Sequence, residues 1–260
     1  MTNPPEIHPS FPQPEDPSQV IWRYMDGEKF RWLLEHQRLF MPTADNLGDP
    51  LEGSTPPGEI EWWKREAENA TSEEVRATII HNRHFIASLS EKFRNQYYVS
   101  CWHMNGHENY SMWRCYTNTE ESVAIRTTYS ELRTALPAQV FMGSIRYIDY
   151  SIDRLPFGNM FEHIMHKDNY YRYEAEVRAV VALPPTNAFG LDEFLVDHFN
   201  LADDENFRVY APQLDVRKLI QGIVLHPKVS DDFAVEVRDL CSARGLPEPE
   251  LSRGTKKPVY

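Results

Sequence analysis

Residues 173–182 run Tyr-Glu-Ala-Glu-Val-Arg-Ala-Val-Val-Ala, and this two-residue period admits a strand and little else. It sets Tyr173, Ala175, Val177, Ala179 and Val181 on one face and Glu174, Glu176 and Arg178 on the other. The apolar face has to meet a core, so the chain must build a sheet with something packed against it. The charged face is either a solvated surface, where Arg178 and Glu176 make an ion pair of about 0–1 kcal/mol, or the lining of a site.

The rest of the chain alternates irregularly between periods. Strands are expected over 20–25, 97–103, 122–128, 141–150, 173–183, 207–211 and 219–225, with a further strand beginning at 39–41. Helical spacing covers 28–37, 109–116, 129–136, 157–169 and 231–243, the last stopped by Gly245. A long helical insertion fills 60–94, breaking near 69–72 where Ser72 can cap the second half. Crossovers too irregular for a doubly wound sheet predict an α+β single domain, with a mostly antiparallel or mixed sheet and helical insertions.

Prolines 4, 5, 9, 12, 14 and 17 remove amide donors and favour extended backbone, so residues 1–19 read as a Pro-rich arm or disordered leader. Residues 247–260 read as a polar tail, leaving 20–246 as the folded domain. At 260 residues one core with insertions is expected. The start carries neither a secretory signal nor a transit-peptide pattern, no apolar run approaches the roughly 20 residues of a membrane span, and the three cysteines form no disulfide framework. A soluble, cytoplasmic protein that does not engage membranes is therefore expected. The net charge of −12 argues against non-specific nucleic-acid binding. The basic cluster Arg253–Lys257 reads as a solvated end.

Three constellations bear on chemistry. Glu174 and Glu176 share a strand face, as a paired-carboxylate site for glycosidic chemistry requires. The block from Tyr97 to Tyr116 concentrates Trp102, His103, Trp113 and Tyr116 with Ser100, Cys101 and Cys115, and reads either as a pocket wall or as an aromatic core. Cys101, His103, His107 and Cys115 have the wrong spacing for zinc, so no metal is expected there. Asp45, Asp49 and Glu52 lie in turn chemistry without the ligand spacing of a calcium loop.

In order, Trp22-Arg-Tyr24, Gly48-Asp-Pro-Leu-Glu52, Val99-Ser-Cys-Trp102, Met112-Trp-Arg-Cys-Tyr116, Arg146-Tyr-Ile-Asp149, Lys167 and Tyr173-Glu-Ala-Glu-Val-Arg178 resemble the bacterial family called domain of unknown function 2971. That resemblance spans nearly the whole folded part and implies no activity. The sequence of a basic residue on the first strand, Ser100 on a middle strand and Glu-x-Glu on a late one is also similar to ADP-ribosyltransferases. This second resemblance implies NAD as a substrate. Arg23 would grip the dinucleotide, Ser100 brace the site, Glu176 hold the nicotinamide ribose and Glu174 orient the acceptor. Tyr24, Trp102, His103, Trp113, Tyr116 and Arg178 would form the cofactor wall, with a small molecule, a protein or a nucleic acid as acceptor. Two other classes compete: a non-catalytic small-molecule sensor or protein-interaction domain, and a metal-dependent nuclease built on Asp49, Glu52, Glu174 and Glu176.

Overall fold

A computed structural model describes residues 8–182, 195–200 and 205–255. Residues 1–7 of the expected arm, Leu183, and residues 256–260 with Lys256 and Lys257 of the basic cluster lie outside the described residues. The chain runs β1 (Val20–Asp26), α1 (Gly27–His36), α2 (Pro57–Glu68), α3 (Glu73–Arg94), β2 (Tyr97–Met104), α4 (Tyr110–Tyr116), β3 (Ser122–Thr128) and α5 (Tyr129–Ala135). It continues through β4 (Phe141–Ser144), β5 (Arg146–Ile148), α6 (Phe161–Met165), β6 (His166–Asp168) and β7 (Glu176–Ala182). The hairpin β8 (Leu195–Asn200) and β9 (Glu205–Tyr210) precedes α7 (Val216–Leu219), β10 (Gly222–Leu225), α8 (Asp231–Arg244) and β11 (Glu250–Leu251).

Seven strands form the main sheet in the order β11-β10-β3-β1-β2-β7-β4, antiparallel except where β11 joins β10. This is the α+β arrangement with a mostly antiparallel sheet that the periodicity predicts. Alternation gives the sheet two unlike faces. On one, Ile21, Trp102, Val177, Ile125 and Ile223 meet Phe30 and Leu33 of α1, Leu132 of α5 and Phe233 and Val237 of α8. On the other, Trp22 and Tyr24 pack on Met112 and Trp113 of α4, while Tyr97, Val99 and Val180 pack on Ile164 and Met165 of α6. Local signals fix several ends as expected. Ser72 accepts from the Val75 amide at the start of α3, and Gly245 closes α8 at φ 65°; a cap not foreseen, Ser230, accepts from the Phe233 amide at the start of α8.

The sheet parts in its middle. β1 pairs β3 along its whole length, from Val20↔Thr128 to Asp26↔Ser122, and β2 pairs β7 from Tyr97↔Ala182 to His103↔Glu176. Between β1 and β2 only Ile21↔Met104 and Trp22↔His103 are in register. Beyond that point the segment after α1 wedges in: the Val99 amide donates to the Pro42 carbonyl at 2.9 Å, and Thr43 bridges Tyr98.

Several expected elements change. The strand at 39–41 is reduced to single bridges such as Met41↔Tyr210, because Pro42 has no amide to extend a ladder. The strand at 141–150 is split: the Ile145 amide still donates to the Glu176 carbonyl at the end of the β4–β7 ladder, and the chain then leaves the main sheet to pair β5 with β6 in parallel. The helix at 157–169 shrinks to the single turn of α6: Gly158 stands at φ 103°, and His166 is already extended. The arm is not loose over its described part. Phe11 is buried in the second core beside Phe141 and Phe161, Ser10 Oγ donates to Glu162 at 2.6 Å, and the Ser144 amide of edge strand β4 donates to the Pro12 carbonyl. The tail contributes too, through the two residues of β11 and buried Ser252.

Candidate functional site

A cleft of about 510 Å³ opens where β1 and β2 part. Strands β1, β2 and β7, the turn at 46–52, the end of α4 and the 167–174 segment line it. Of the residues expected to form a site, Arg23, Tyr24, Trp102, His103, Tyr116, Glu174, Glu176 and Arg178 border this cleft. Ser100 and Trp113 do not.

At its floor is a buried charge cluster. Arg178, fully enclosed at 0 % exposure, donates from Nε to Glu176 Oε1 at 2.6 Å and from Nη2 to Glu176 Oε2 at 3.1 Å. Its other bonds go to Glu52 Oε1 at 2.5 Å, Glu52 Oε2 at 2.8 Å and the Ile164 carbonyl at 2.6 Å. A guanidinium has five N–H groups, and all five are used. Arg178 has no donor left for a cofactor, which corrects the expectation that it binds one. Lys167 Nζ reaches Glu174 Oε2 at 2.7 Å, Glu176 Oε2 at 3.3 Å and Glu52 Oε2 at 3.9 Å, under the Tyr171 ring at 4.6 Å.

The two carboxyls of the Glu-x-Glu segment are not on one strand face as expected. Glu174 ends a 3-10 turn at 169–174, Ala175 adopts the left-handed region at φ 40°, and β7 starts only at Glu176. The kink swings Glu174 round so that it meets Glu176 across Lys167. Environment then separates the two. Burial raises the Glu174 carboxyl above its ordinary value, with Lys167 only partly opposing. Burial acts upward on Glu176 as well, but Arg178 and Lys167 outweigh it and hold that carboxyl down at about 2. Lys167 loses to burial but gains more from the facing carboxylates, led by Glu176, and stays firmly protonated. Burial pushes the Cys101 thiol up, with the Glu176 charge adding to it.

His103 fastens the kink. Its Nδ1 lies 2.5 Å from the Glu174 carbonyl, which can only accept, so Nδ1 carries the proton and Nε2 faces the Asn109 amide at 3.4 Å. Burial lowers its basicity, so the ring is a neutral joint. Tyr116, at the end of α4, lines the cleft beside Glu174, and its phenol is raised by burial and by the Glu176 and Glu174 charges. Tyr24 accepts from the Asn109 amide at 2.8 Å and meets Trp113 edge to face at 4.9 Å.

Arg23 and Ser100 belong to the opposite sheet face from Glu176. β1 places Trp22 beside His103, and His103 pairs Glu176, so by alternation Arg23, Trp102 and Ser100 point the other way. Arg23 still borders the cleft because the strands are parted beside it. Its Nη2 donates to the Phe40 carbonyl at 2.8 Å and its guanidinium stands 5.9 Å over Trp102, with no carboxylate in ion-pair reach among the described residues. Burial lowers it to about 10. Ser100 is core and touches the site only indirectly, accepting from Trp102 Nε1 at 3.0 Å beneath the ring that carries Arg23. Trp113 is core as well, with Nε1 bonded to Glu108 at 2.8 Å.

Sequence reasoning placed Lys167 only in a motif order, gave Tyr171 no role, weighed Cys101 as a zinc ligand or pocket-wall residue, and read Glu52 as a turn residue or metal-ligand candidate. Three of the four carboxylates of the nuclease reading, Glu52, Glu174 and Glu176, do converge, but on Lys167 and Arg178. Among the described residues no three His, Cys, Asp or Glu side chains are grouped as metal ligands, and no helix is long and apolar enough to cross a membrane.

Fold and cleft together define an α+β protein with a ligand-sized slot in a parted antiparallel sheet. Comparisons with protein-family models, curated proteins and solved structures gave no match.

Proposed function

We propose that the cleft binds NAD and breaks the bond between nicotinamide and ribose, passing ADP-ribose to water or to an acceptor on a small molecule, protein or nucleic acid. One observation carries this reading: Glu174 and Glu176 meet on the single ammonium of Lys167, one carboxyl pushed up and the other held at about 2. Carboxyl pairs driven apart in this way divide the labour of glycosidic cleavage. The fixed charge of Glu176 stabilises the cationic ribose as the C–N bonding pair leaves with nicotinamide. Glu174 takes the proton from the incoming hydroxyl as its oxygen bonds to the ribose carbon.

Arg23 supports the same reading. A half-buried cation with no carboxylate partner among the described residues is costly unless an anion completes it, and a dinucleotide supplies a diphosphate. The similarity to ADP-ribosyltransferases asks for Arg23, Ser100 and the Glu-x-Glu pair around one cleft; Arg23 and both glutamates border this one, and Ser100 does not. Its volume falls within the roughly 300–1,000 Å³ of small-molecule sites. Membership of the bacterial domain of unknown function 2971 family, and a cytoplasmic setting, belong to this proposal as its context.

The test is nicotinamide release by the purified full chain, with and without candidate acceptors, for wild type and Glu176→Gln. Release by wild type that drops at least a hundredfold in the variant is expected. No release and no modified acceptor ends the proposal. A sensor reading has its own support, because Arg178 and both Glu176 oxygens are already engaged within the protein. Thermal stabilisation by NAD without turnover decides for it.

A further inference from the structure

The turn at 47–53 supplies a residue that the paired-carboxylate chemistry does not itself use. Glu52 is 2 % exposed although its neighbours Leu51 and Pro50 face solvent. Gly53 makes this possible by taking φ 68°, and its carbonyl is tied to α3 by Ser90 Oγ at 3.1 Å. From there Glu52 grips both terminal nitrogens of Arg178, 126 positions along the chain, in a two-pronged pair. The same guanidinium holds Glu176 with its remaining edge. Glu52 also stands 3.9 Å from Lys167 Nζ, the ammonium that Glu174 and Glu176 share.

Resting on the function above, we propose that Glu52 is a positioning residue: acting through Arg178 and Lys167, it fixes the direction of the Glu176 carboxylate and the share of positive charge that reaches Glu174. The turn that carries it also forms the cleft wall at Asn46, Leu47, Gly48 and Asp49, so one buried carboxylate couples that wall to the catalytic pair. Without Glu52 the guanidinium keeps only the Glu176 edge and the Ile164 carbonyl and is free to swing. Lys167 then answers to two carboxylates instead of three and draws closer to Glu174.

The experiment compares full-length wild type, Glu52→Gln and the double variant Glu52→Met with Arg178→Met, which removes both ends of the Glu52–Arg178 pair and leaves Glu176 to Lys167. Two readouts are taken. The first is carbon-13 NMR titration of the Glu174 carboxyl in glutamate-labelled protein, assigned with Glu174→Gln, and it needs no turnover. Glu52→Gln is expected to lower the Glu174 midpoint by about half a pH unit. The second is kcat and KM for nicotinamide release, with kcat expected to fall at least tenfold and KM to stay within about twofold. The double variant, folded and stable, is expected to keep the low kcat, because stability is restored and positioning is not. An unmoved Glu174 midpoint in Glu52→Gln overturns the inference, as does full activity in the double variant. If Glu52→Gln does not fold, the double variant decides by the same two readouts. Wild type without turnover sinks the catalytic reading alone, and the titration still judges Glu52.

Discussion

Lys167 Nζ lies 2.7 Å from Glu174 Oε2, and yet the Glu174 carboxyl is harder to ionise than a glutamate in water. Burial outweighs the ammonium, which is shared with Glu176 and Glu52, and the Glu176 charge adds to burial. As the proposed base Glu174 must be ionised, so under that proposal the rate of nicotinamide release is expected to climb with pH along a limb centred above the ordinary value of 4.5. Glu174→Gln is expected to flatten that limb and to lower kcat about a hundredfold. A wild-type rate that is flat from pH 4 to pH 8 contradicts the assignment.

Arg23→Ala separates binding from folding. Among the described residues the guanidinium faces no carboxylate and gives up the Phe40 carbonyl bond and the Trp102 contact. Losing those contacts is offset by removal of a buried charge, so stability is expected to change by no more than about 1 kcal/mol. Calorimetric NAD affinity is expected to fall at least tenfold. Unchanged affinity removes Arg23 from the site.

His163 sets a second pH dependence, away from the cleft. It is buried on α6, neither ring nitrogen has a hydrogen-bond partner among the described residues, and burial lowers it to about 4 from 6.5. The unfolded chain therefore takes this proton at about 6.5 while the folded one refuses it until about 4. Stability is lost as pH falls through that window, by up to about 3 kcal/mol. His163→Leu, which also removes both orphaned nitrogens, is expected to shrink the difference between urea stabilities at pH 7 and pH 4.5 by about 2 kcal/mol. An undiminished difference places the lost stability on other groups.

Gly143 and Phe11 test the arm. A Cβ on Gly143 meets the Phe11 backbone at 2.7 Å, where a main chain cannot yield as a flexible side chain does. Gly143→Ala is expected to lift the arm from β4 and cost about 1–3 kcal/mol. Limited proteolysis is expected to gain a cut among residues 8–19. Wild-type resistance in the variant shows that the arm does not depend on this contact.

What the sequence revealed was what neighbours in the chain decide. Alternation at Tyr97 to His103, the Ser72 cap and the Gly245 stop are local, and each stands as expected. The Arg23, Ser100 and Glu176 grouping needed the register between strands, which no single strand contains. The pairs Trp22↔His103 and His103↔Glu176 send Arg23 and Ser100 to the face away from Glu176. Period-two spacing placed Glu174 beside Glu176 for the wrong reason, since the left-handed Ala175 breaks the strand that the argument assumed. Glu52 carried one usable signal, an acidic residue directly before a glycine in a tight turn, but its partner Arg178 lies too far along the chain for spacing to reveal.

The gap between β1 and β2 is lined on one side by hydrogen bonds that are already made: residues 42 and 43 occupy the β2 edge at Val99 and Tyr98. A guest entering there displaces no ladder and opens no strand. The slot is a gap built into the sheet, with residues 42 and 43 bonded along its β2 edge, so the binding proposed above would spend no energy prising the halves apart. Affinity is thereby left to the side chains at its rim.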